Sequence, residues 1–425
     1  LRKAGYRITA DEREADILIV NTCGFIEPAK QESIDTLLSL ARYKQEGKLK
    51  LLAATGCLTQ RYEQAILQDM PEVDLVLGVS QYPMLPRAIE EALAGKRPSY
   101  CAPEPTVLCG ERVLTTAPYT AYVRIADGCD NRCAYCAIPL IRGGFRSRDM
   151  QSVLDEIRAL AEQGVKEHVL VAQDTSRFGM DTHGRSLLPE LMVRAADIPG
   201  VEWLRVLYCY PDEVDDTLLE AMASRPNICR SLDLPLQHAD PQLLRRMNRR
   251  GDIEQTRAFL KKAREMGFTL RTTFITGSPG ETDEQFERLM DFVRDVRCDR
   301  LGAFCYSAED DTPAAAMPHQ VPEDVKQRRL DRLMTEQQAI SLERNRLRVD
   351  SEERVLVESV GADGLGVARS AAEAPETDGV IRVGGVSAAD IGCFISARIP
   401  GAAPYALTAY TLRTCPLACR PRGSE

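Results

Sequence analysis

The amino-acid sequence predicts an α/β protein with three parts: an open α/β sheet domain, a partial (β/α) barrel and a small β-barrel. Short apolar runs alternate with segments of helical periodicity from residue 16 to about residue 320, a pattern typical of parallel sheets covered by helices. From residue 351 onward the pattern changes to short strands separated by glycine-rich turns. A chain of 425 residues is also longer than one compact core usually supports.

The first hundred residues repeat a strand followed by a helix. The apolar runs 16–20, 49–54 and 74–79 are predicted strands of one open sheet. Cys23 and Cys57 each follow the carboxyl end of one of these strands. Because ligands of such sheets bind at this edge, we expect the two thiols to converge there. The alternative interpretation is a pair of small buried residues.

The central part carries six further strand and helix units. Its predicted strands, in chain order, are 121–126, 168–173, 203–207, 230–234, 269–275 and 300–305. Six such units favour a barrel or partial barrel of parallel strands, with its chemistry at the carboxyl ends of the strands. A long charged helix is predicted over roughly 323–349, and a small antiparallel barrel follows it.

These elements set the expected domain limits. The predicted parts are an amino-terminal α/β domain at 1–96, a linker at 97–118, the (β/α) barrel with its trailing helix at 119–350, a small β-barrel at 351–407 and an unassigned tail at 408–425. The first six residues have the basic and glycine pattern of a helix end, so we expect a further segment upstream of Leu1.

The composition narrows the class of protein. Acids outnumber bases, 63 against 54, which gives a net charge of -9 and argues against broad adhesion to nucleic acid. The chain has 14 Cys, but it is far larger than the disulfide-rich scaffolds of secreted proteins. It shows neither a signal peptide nor a run of about 18 apolar residues. We therefore expect a cytoplasmic protein without a membrane span, whose cysteines serve metal or thiol chemistry.

The strongest motif is a CxxxCxxC loop, formed by Cys129, Cys133 and Cys136 directly after the first barrel strand. Three thiolates from one loop can bind three irons of a cubane [4Fe–4S] cluster, which usually has four cysteine ligands. Since no fourth cysteine lies nearby, one iron would stay open to an outside ligand. A structural zinc site is the alternative, but zinc needs a fourth ligand and none of the four His lies near.

This loop resembles the signature of the radical S-adenosylmethionine (SAM) superfamily, with Tyr135 at its aromatic position. The resemblance implies that Cys129, Cys133 and Cys136 hold the catalytic cluster, whose open iron binds SAM and whose electron cleaves SAM to a 5′-deoxyadenosyl radical. It also implies that Tyr135 packs near the adenine, the alternative being a core aromatic. Gln173, at the end of the second barrel strand, either touches the polar groups of SAM or has a purely structural role.

Most of the chain, from residue 1 to about residue 405, resembles the methylthiotransferases. The amino-terminal stretches 21–26 and 55–61 carry this resemblance. In that family three cysteines of this domain bind a second [4Fe–4S] cluster, and the tail is a TRAM β-barrel. Cys23 and Cys57 occupy two of the three positions, and the third position lies upstream of this sequence. The resemblance therefore implies two clusters, the second of them lacking one ligand here.

Several stretches resemble the branch of this family that modifies ribosomal protein S-12, the RimO family. These stretches are 138–143, 145–148, 173–179, 234–240 and 276–282. The resemblance implies methylthiolation of the β-carbon of an aspartate in that protein, with one SAM as the radical source and a second SAM as the methyl donor. It implies as partners S-12 itself, a reductant protein and a sulfur donor.

Two alternative functions remain open on the sequence alone. The same chemistry on a tRNA adenosine would place an RNA against the tail, but residues 351–407 carry eight acids, four Arg and no Lys. RNA-binding surfaces are usually basic, so this charge favours a basic protein as substrate. The second alternative is a non-catalytic zinc or electron-transfer module.

Other residues carry weaker signals. The Gly277–Gly280 loop is either a plain turn or part of the SAM site. Asp174 either touches the polar groups of SAM or has a purely structural role. Arg142, Arg146 and Arg148 either steer an anion, brace the cluster loop or form a solvated basic face. Nine cysteines are predicted to be incidental, core or tail residues: Cys101, Cys109, Cys209, Cys229, Cys298, Cys305, Cys393, Cys415 and Cys419.

Overall fold

The computed structural model describes residues 1–102 and 112–412, which form two compact units. The first unit contains 1–102, 127–146 and 307–317, and the second contains 112–126, 147–306 and 318–412. The CxxxCxxC loop thus belongs to the first unit, together with the amino-terminal sheet.

The first unit is built on a sheet of four parallel strands that lie in the order of the sequence. Its strands are β1 (Ile17–Thr22), β2 (Leu51–Gly56), β3 (Leu75–Leu77) and β4 (Ser99–Tyr100). Its helices are α1 (Glu27–Ala41), α2 (Tyr43–Glu46), α3 (Cys57–Arg61), α4 (Glu63–Asp69), α5 (Leu85–Leu93) and α6 (Ile138–Arg142). Short 3-10 turns lie at Arg2–Ala4, Glu12–Glu14, Tyr82–Met84 and Pro313–Ala316. The three predicted strands of this domain are confirmed.

The core of this sheet lies on both of its faces. The whole of β2 is buried, since helices cover the sheet on either side. Leu52 belongs to a cluster that includes Leu37 of α1, whereas its neighbour Leu51 belongs to a cluster that includes Ile89 of α5. The alternation of strand side chains therefore produces two cores, one on each face.

The edge strand β4 lies inside the segment predicted as a linker. Ser99 pairs with Val76 and Tyr100 with Leu77, both in parallel register. Cys101, which directly follows β4, packs partly buried against the apolar cluster around Leu52.

Strands β5 to β12 follow in the chain. They are β5 (Thr120–Arg124), β6 (Ala126–Asp127), β7 (Arg146–Ser147), β8 (Glu167–Val171), β9 (Trp203–Val206), β10 (Ser231–Gln237), β11 (Thr269–Thr276) and β12 (Arg300–Cys305). β6 and β7 form a short ribbon. The other six are parallel and lie in the order of the sequence, as two three-stranded sheets joined by a bridge from Leu204 to Ile228. The predicted partial barrel of six parallel strands is confirmed.

Helices cover the strands of this barrel. They are α7 (Met150–Glu162), α8 (Met180–His183), α9 (Leu188–Ala196), α10 (Asp216–Ala223), α11 (Pro241–Arg246), α12 (Ile253–Glu265), α13 (Asp283–Val296) and α14 (Glu323–Arg346). Across residues 1–102 and 112–412, no helix combines the length and the apolar character that crossing a bilayer requires.

The carboxy-terminal part is a closed barrel of five strands. They are β13 (Glu352–Val360), β14 (Gly366–Ser370), β15 (Val380–Gly384), β16 (Phe394–Ala402) and β17 (Ala406–Thr411), with a 3-10 turn at Ala388–Asp390. The expectation of a purely antiparallel barrel is wrong, because β15 and β17 pair in parallel. An odd number of strands cannot close into a ring of strictly alternating directions, so one parallel pair is unavoidable. β17 also continues past residue 407, the predicted limit of this barrel.

Residues 369–378, at the end of β14 and in the loop before β15, contact the strands of the partial barrel, and we call them the closing segment. Their ion pairs reach three strands: Arg369 to Glu167 of β8 at 2.6 Å, Glu373 to Arg300 of β12 at 2.7 Å and Asp378 to Arg271 of β11 at 3.2 Å. The fully buried Ala374 packs with Val169 and Leu207. The small barrel therefore supplies part of the core of the larger one.

Glu167 is the centre of a buried ion triad. Its carboxylate accepts from Arg369 at 2.6 Å and lies 3.3 Å from the Nε atom of Arg205, and all three side chains are almost fully buried. Burial opposes the charge, but the two guanidinium groups hold the pKa of the Glu167 carboxyl below its ordinary value. Removing Glu167 would leave Arg205 buried without its charged partner.

Three of the fourteen cysteines lie outside the described residues. They are Cys109, in the predicted linker, and Cys415 and Cys419, in the predicted tail.

Candidate functional site

The CxxxCxxC loop folds back on the segment that follows α6. The amide of Cys129 donates to the carbonyl of Gly143 at 3.1 Å, and the amide of Cys136 donates to the carbonyl of Cys133 at 3.0 Å. Cys133 is buried, whereas Cys129 and Cys136 are half-buried. None of the three forms a disulfide. The loop therefore gathers three thiols into one short, backbone-bonded structure of the first unit.

Gly128, which precedes Cys129, lies in close backbone contact with Gly144. Gly128 has a φ of 78°, and a Cβ atom there would overlap the carbonyl oxygen of Gly144. Only glycine allows the two chain segments to approach this closely. Asp130 adds a further tie, because its carboxylate accepts from the amide of Phe145 at 3.0 Å.

The chemistry of this loop fits an iron–sulfur cluster, because its three candidate ligands are all cysteine sulfurs. A zinc site needs its ligands on one ion, whereas each cysteine of a cubane binds a different iron. Three cysteine sulfurs from one loop thus fit a [4Fe–4S] cluster with one open iron.

Cys23 and Cys57 lie at adjacent turns of the amino-terminal sheet. The parallel register of β1 and β2 places Thr22 opposite Gly56, so the residues that follow them emerge side by side. A Cβ atom on Gly24 would lie 2.8 Å from the carbonyl carbon of Cys57, which shows that the two turns pack directly together. Cys23 is exposed and Cys57 half-buried. The structure therefore brings these two sequence-predicted cysteines to one edge of the sheet.

Arg142, at the end of α6, joins the CxxxCxxC loop to the turn of Cys57. One terminal nitrogen lies 3.0 Å from the carboxylate of the buried Asp127, and the other lies 3.8 Å from the sulfur of Cys57. Burial raises the pKa of the Cys57 thiol, and the Arg142 cation opposes this rise. Of the roles left open for Arg142, the structure supports bracing.

The two other arginines of this stretch also bond to backbone or buried groups. Arg146 donates to the carbonyls of Gly144 and Arg142 at 2.6 and 2.9 Å, so it stiffens the segment on which the CxxxCxxC loop folds. Arg148 is buried, pairs with Glu156 at 2.5 Å and donates to the carbonyl of Arg124 at 2.8 Å. A freely solvated basic face does not describe these side chains.

A charged network beside the Cys23 turn was not foreseen from the sequence. Arg61 of α3 donates to the carbonyl of Gly24 at 3.1 Å and pairs with the buried Glu309 at 3.3 Å. Lys30 of α1 reaches the same carboxylate at 3.2 Å. Burial opposes the charge of Lys30, but Glu27 and Glu309 raise its pKa. Glu309 lies far along the chain, and no spacing in the sequence indicates this contact.

Three further candidate residues are Tyr135, Gln173 and Asp174. Tyr135 is half-buried within the CxxxCxxC loop. Gln173 follows β8, and its side-chain oxygen is buried with no hydrogen-bond partner among the described residues. Asp174 is buried and accepts from the hydroxyl of Ser176. A buried unpaired oxygen at the carboxyl end of a barrel strand is the feature expected where a polar ligand binds.

The loop after β11 is held by a residue that the sequence alone did not single out. One carboxylate oxygen of Glu281 accepts from the amides of Gly277 and Ser278, the second of these at 3.1 Å. The hydroxyl of Ser278 is buried and has no hydrogen-bond partner among the described residues. The Glu281 carboxylate therefore holds the candidate Gly277–Gly280 loop, in which the Ser278 hydroxyl has no partner among the described residues.

Comparison with known families divides the chain into three matched regions. Residues 1–78 match the family described as uncharacterized protein family UPF0004, residues 123–293 match the radical SAM superfamily, and residues 349–411 match the TRAM domain.

Curated relatives match almost the whole chain. The ribosomal protein uS12 methylthiotransferase RimO of Desulforamulus reducens is 46% identical over 414 residues, covering 96% of this chain and 93% of the relative. The protein of the same name from Heliobacterium modesticaldum is 47% identical over 412 residues, covering 96% of this chain and 89% of the relative.

Among solved structures, the fold is similar to that of the radical S-adenosylmethionine methyltransferase TsrM from Kitasatospora setae. The TM-score is 0.54 over 70% of this chain and 63% of that chain. At 16% identity this likeness concerns the fold alone.

Proposed function

This chain belongs to the family of ribosomal protein uS12 methylthiotransferases (RimO), and we propose that it places its methylthio group on the β-carbon of an aspartate of uS12. The chain is a radical SAM methylthiotransferase. The observation that carries this function is an identity of 46% that extends over 96% of the chain and therefore includes all three matched regions. Radical chemistry suits the target, because a β-carbon C–H is too weakly acidic for an ordinary base.

We propose Cys129, Cys133 and Cys136 as the ligands of the SAM-binding cluster. When bound, the [4Fe–4S] cluster supplies the electron that cleaves SAM to a 5′-deoxyadenosyl radical. The chain contributes a loop whose backbone bonds to Gly143 and whose packing against Gly144 fix the three sulfurs relative to one another. Tyr135 of the same loop is proposed to pack near the adenine, and Gln173 to bond a polar group of SAM.

Cys23 and Cys57 are proposed as ligands of a second cluster, from which the transferred sulfur would come. Their convergence at the edge of the sheet supports this role. In the family that the sequence resembles, such a cluster has three cysteine ligands, so these two residues account for part of the site. A second SAM would donate the methyl group.

The partners follow from the reaction. A reductant protein has to supply the electron and a sulfur donor has to renew the transferred sulfur, and neither is identified by the residues described. Since uS12 is a ribosomal protein, we propose that the enzyme works in the cytoplasm. The excess of acids over arginines in residues 351–407 suits a basic ribosomal protein.

The test is a comparison of uS12 from cells that lack their own modifying gene. One strain expresses this chain and a matched strain expresses the Cys133→Ala variant. Mass spectrometry should show one added methylthio group on an aspartate of uS12 only in the first strain. An unmodified uS12 together with a newly methylthiolated tRNA would overturn the proposed substrate.

A further inference from the structure

His238 lies immediately after β10, in the interior of the second unit, and is fully buried. The strand ends irregularly: its register with β11 shifts between Leu234 and Gln237, and Gln237 has a φ of 70°. A left-handed φ is uncommon for a residue other than glycine and persists only where the surrounding structure holds it. This irregular ending determines the position of the imidazole.

The hydrogen bonds of His238 define its tautomer. Its Nδ1 atom accepts from the backbone amide of Asp240 at 3.0 Å, so this nitrogen does not carry a proton. The proton of the neutral ring is therefore on Nε2. The Nε2 atom lies 3.5 Å from one carboxylate oxygen of Glu281, and both side chains are fully buried. In the described residues neither Nε2 nor this oxygen has a formed hydrogen bond, so no other described group competes with their contact.

The other oxygen of Glu281 already holds the loop after β11. It accepts from the amides of Gly277 and Ser278 and lies 3.5 Å from the guanidinium of Arg329. The orientation of this carboxylate thus determines where the two loop amides point. The unpaired, buried hydroxyl of Ser278 lies in the same loop.

We propose that His238 is a positioning residue for SAM binding: by fixing the free oxygen of Glu281, it holds the Gly277–Ser278 loop in the form that receives SAM. This inference rests on the proposed function, because the ligand of the loop is taken to be SAM. His238 touches the carboxylate and not the ligand. Its effect on SAM binding passes entirely through Glu281.

The alternative is that His238 has a purely structural role. The bond from Asp240 to Nδ1 shapes the turn between β10 and α11, and this turn alone would account for a buried histidine. Two substitutions separate the structural role from the positioning role, because each keeps the contact of one ring nitrogen and removes that of the other. In His238→Asn the side-chain oxygen replaces Nδ1 and keeps the turn, whereas in His238→Gln the amide nitrogen replaces Nε2 and keeps the contact to Glu281.

The experiment measures the affinity for SAM of the iron-reconstituted full chain without reductant, by equilibrium dialysis. His238→Gln should bind SAM about as tightly as the unaltered chain. His238→Asn should bind about tenfold or more weakly, the usual effect of losing a residue that orients a binding group. With reductant, the Asn variant should cleave SAM with a raised KM, whereas its maximal rate of SAM cleavage should change much less.

Each other result has a defined meaning. Equal affinities for the two variants, or weaker binding by Gln than by Asn, would overturn the inference and leave the proposed function standing. An unaltered, iron-loaded chain that shows no saturable SAM binding would overturn the proposed function and the inference together.

A second measurement needs no substitution and so does not depend on how the variants fold. The chain has four His, which makes their side-chain signals separable in 15N-histidine-labelled, metal-free protein. His238 should appear as the Nε2–H tautomer. The Nδ1–H tautomer would leave Glu281 without a donor and would overturn the inference.

Discussion

A terminal nitrogen of Arg142 lies 3.8 Å from the sulfur of Cys57 while the other terminal nitrogen pairs with Asp127 at 3.0 Å. Asp127 lies just before the CxxxCxxC loop, so a single guanidinium group joins the start of that loop to the turn of Cys57. The fork of an arginine can make both contacts, but the single ammonium of a lysine cannot.

Replacing Arg142 should therefore loosen the CxxxCxxC loop. In Arg142→Lys we expect iron to leave the reconstituted chain severalfold to tenfold faster when a chelator is added, because a supporting contact is lost while the thiols remain. The measurement is the decay of the cluster absorbance. The exposed Arg158, substituted in the same way, serves as the control, and equal rates for the two variants would contradict the bracing role.

Replacing Cys133 tests the cluster ligands directly. Cys133→Ala should lose the SAM-binding cluster and with it all formation of 5′-deoxyadenosine, because one of the three proposed ligands of that cluster is removed. Iron analysis and chromatography of the nucleoside products check this. Cys393→Ala, in the small barrel, should keep both properties. Retained 5′-deoxyadenosine in the Cys133 variant would show that the cluster is held elsewhere.

Removing the charge of Glu167 tests the buried ion triad. Glu167→Gln leaves the buried Arg205 without its charged partner and Arg369 with the partly exposed Glu358 alone. Breaking such a buried pair typically costs about 3–5 kcal/mol of the free energy of unfolding. Urea unfolding measures the loss. The matched control is Glu352→Gln, whose carboxylate pairs with the half-exposed Arg398 at 3.5 Å and should change stability little. Similar losses for both variants would argue against the triad as a stabilising centre.

The fully buried His168 of β8 makes the stability depend on pH. Burial lowers its pKa to about 4, from an ordinary value of 6.5. The unfolded chain therefore takes up a proton as the pH falls below about 6.5, whereas the folded chain does so only near 4. The neutral His168 therefore contributes about 3 kcal/mol to the free energy of unfolding. This contribution is fully present above pH 6.5 and is lost as the pH falls to 4.

The check is the difference in the free energy of unfolding between the unaltered chain and His168→Leu at several pH values. As the pH is lowered from about 7.5 to about 5, the free energy of unfolding of the unaltered chain should fall relative to that of the Leu variant. The exposed His183→Leu serves as the control and should follow the unaltered chain. A constant difference across this range would contradict a neutral buried His168.

Most strands and long helices of this fold were predictable from the sequence, because short apolar runs alternate with segments of helical periodicity. The strand β4 was not, since two residues, Ser99 and Tyr100, cannot show a period. The turn-rich pattern of the tail also predicted a purely antiparallel barrel, although a closed barrel of five strands requires one parallel pair. Strand direction and pairing order are properties of the closed barrel, and no local pattern encodes them.

The candidate site was predictable to the extent that its residues are close in sequence. Cys129, Cys133 and Cys136 occur within one loop, and Cys23 and Cys57 follow two neighbouring strands. The contacts of Glu309 with Arg61 and of His238 with Glu281 join residues that are distant in the chain. Such partners depend on how the strands pair, so no spacing in the sequence indicates them.

The closing segment has a consequence for how the chain acquires its structure during synthesis. Glu167 and Arg369 are 202 residues apart, so the carboxylate is synthesised long before one of the two cations that compensate it. A contact of such long range forms late, because most of the chain has to be in place first. The partial barrel should therefore remain incomplete until the TRAM strands emerge from the ribosome. A gene shortened before β14 would yield an aggregation-prone intermediate rather than a smaller working enzyme.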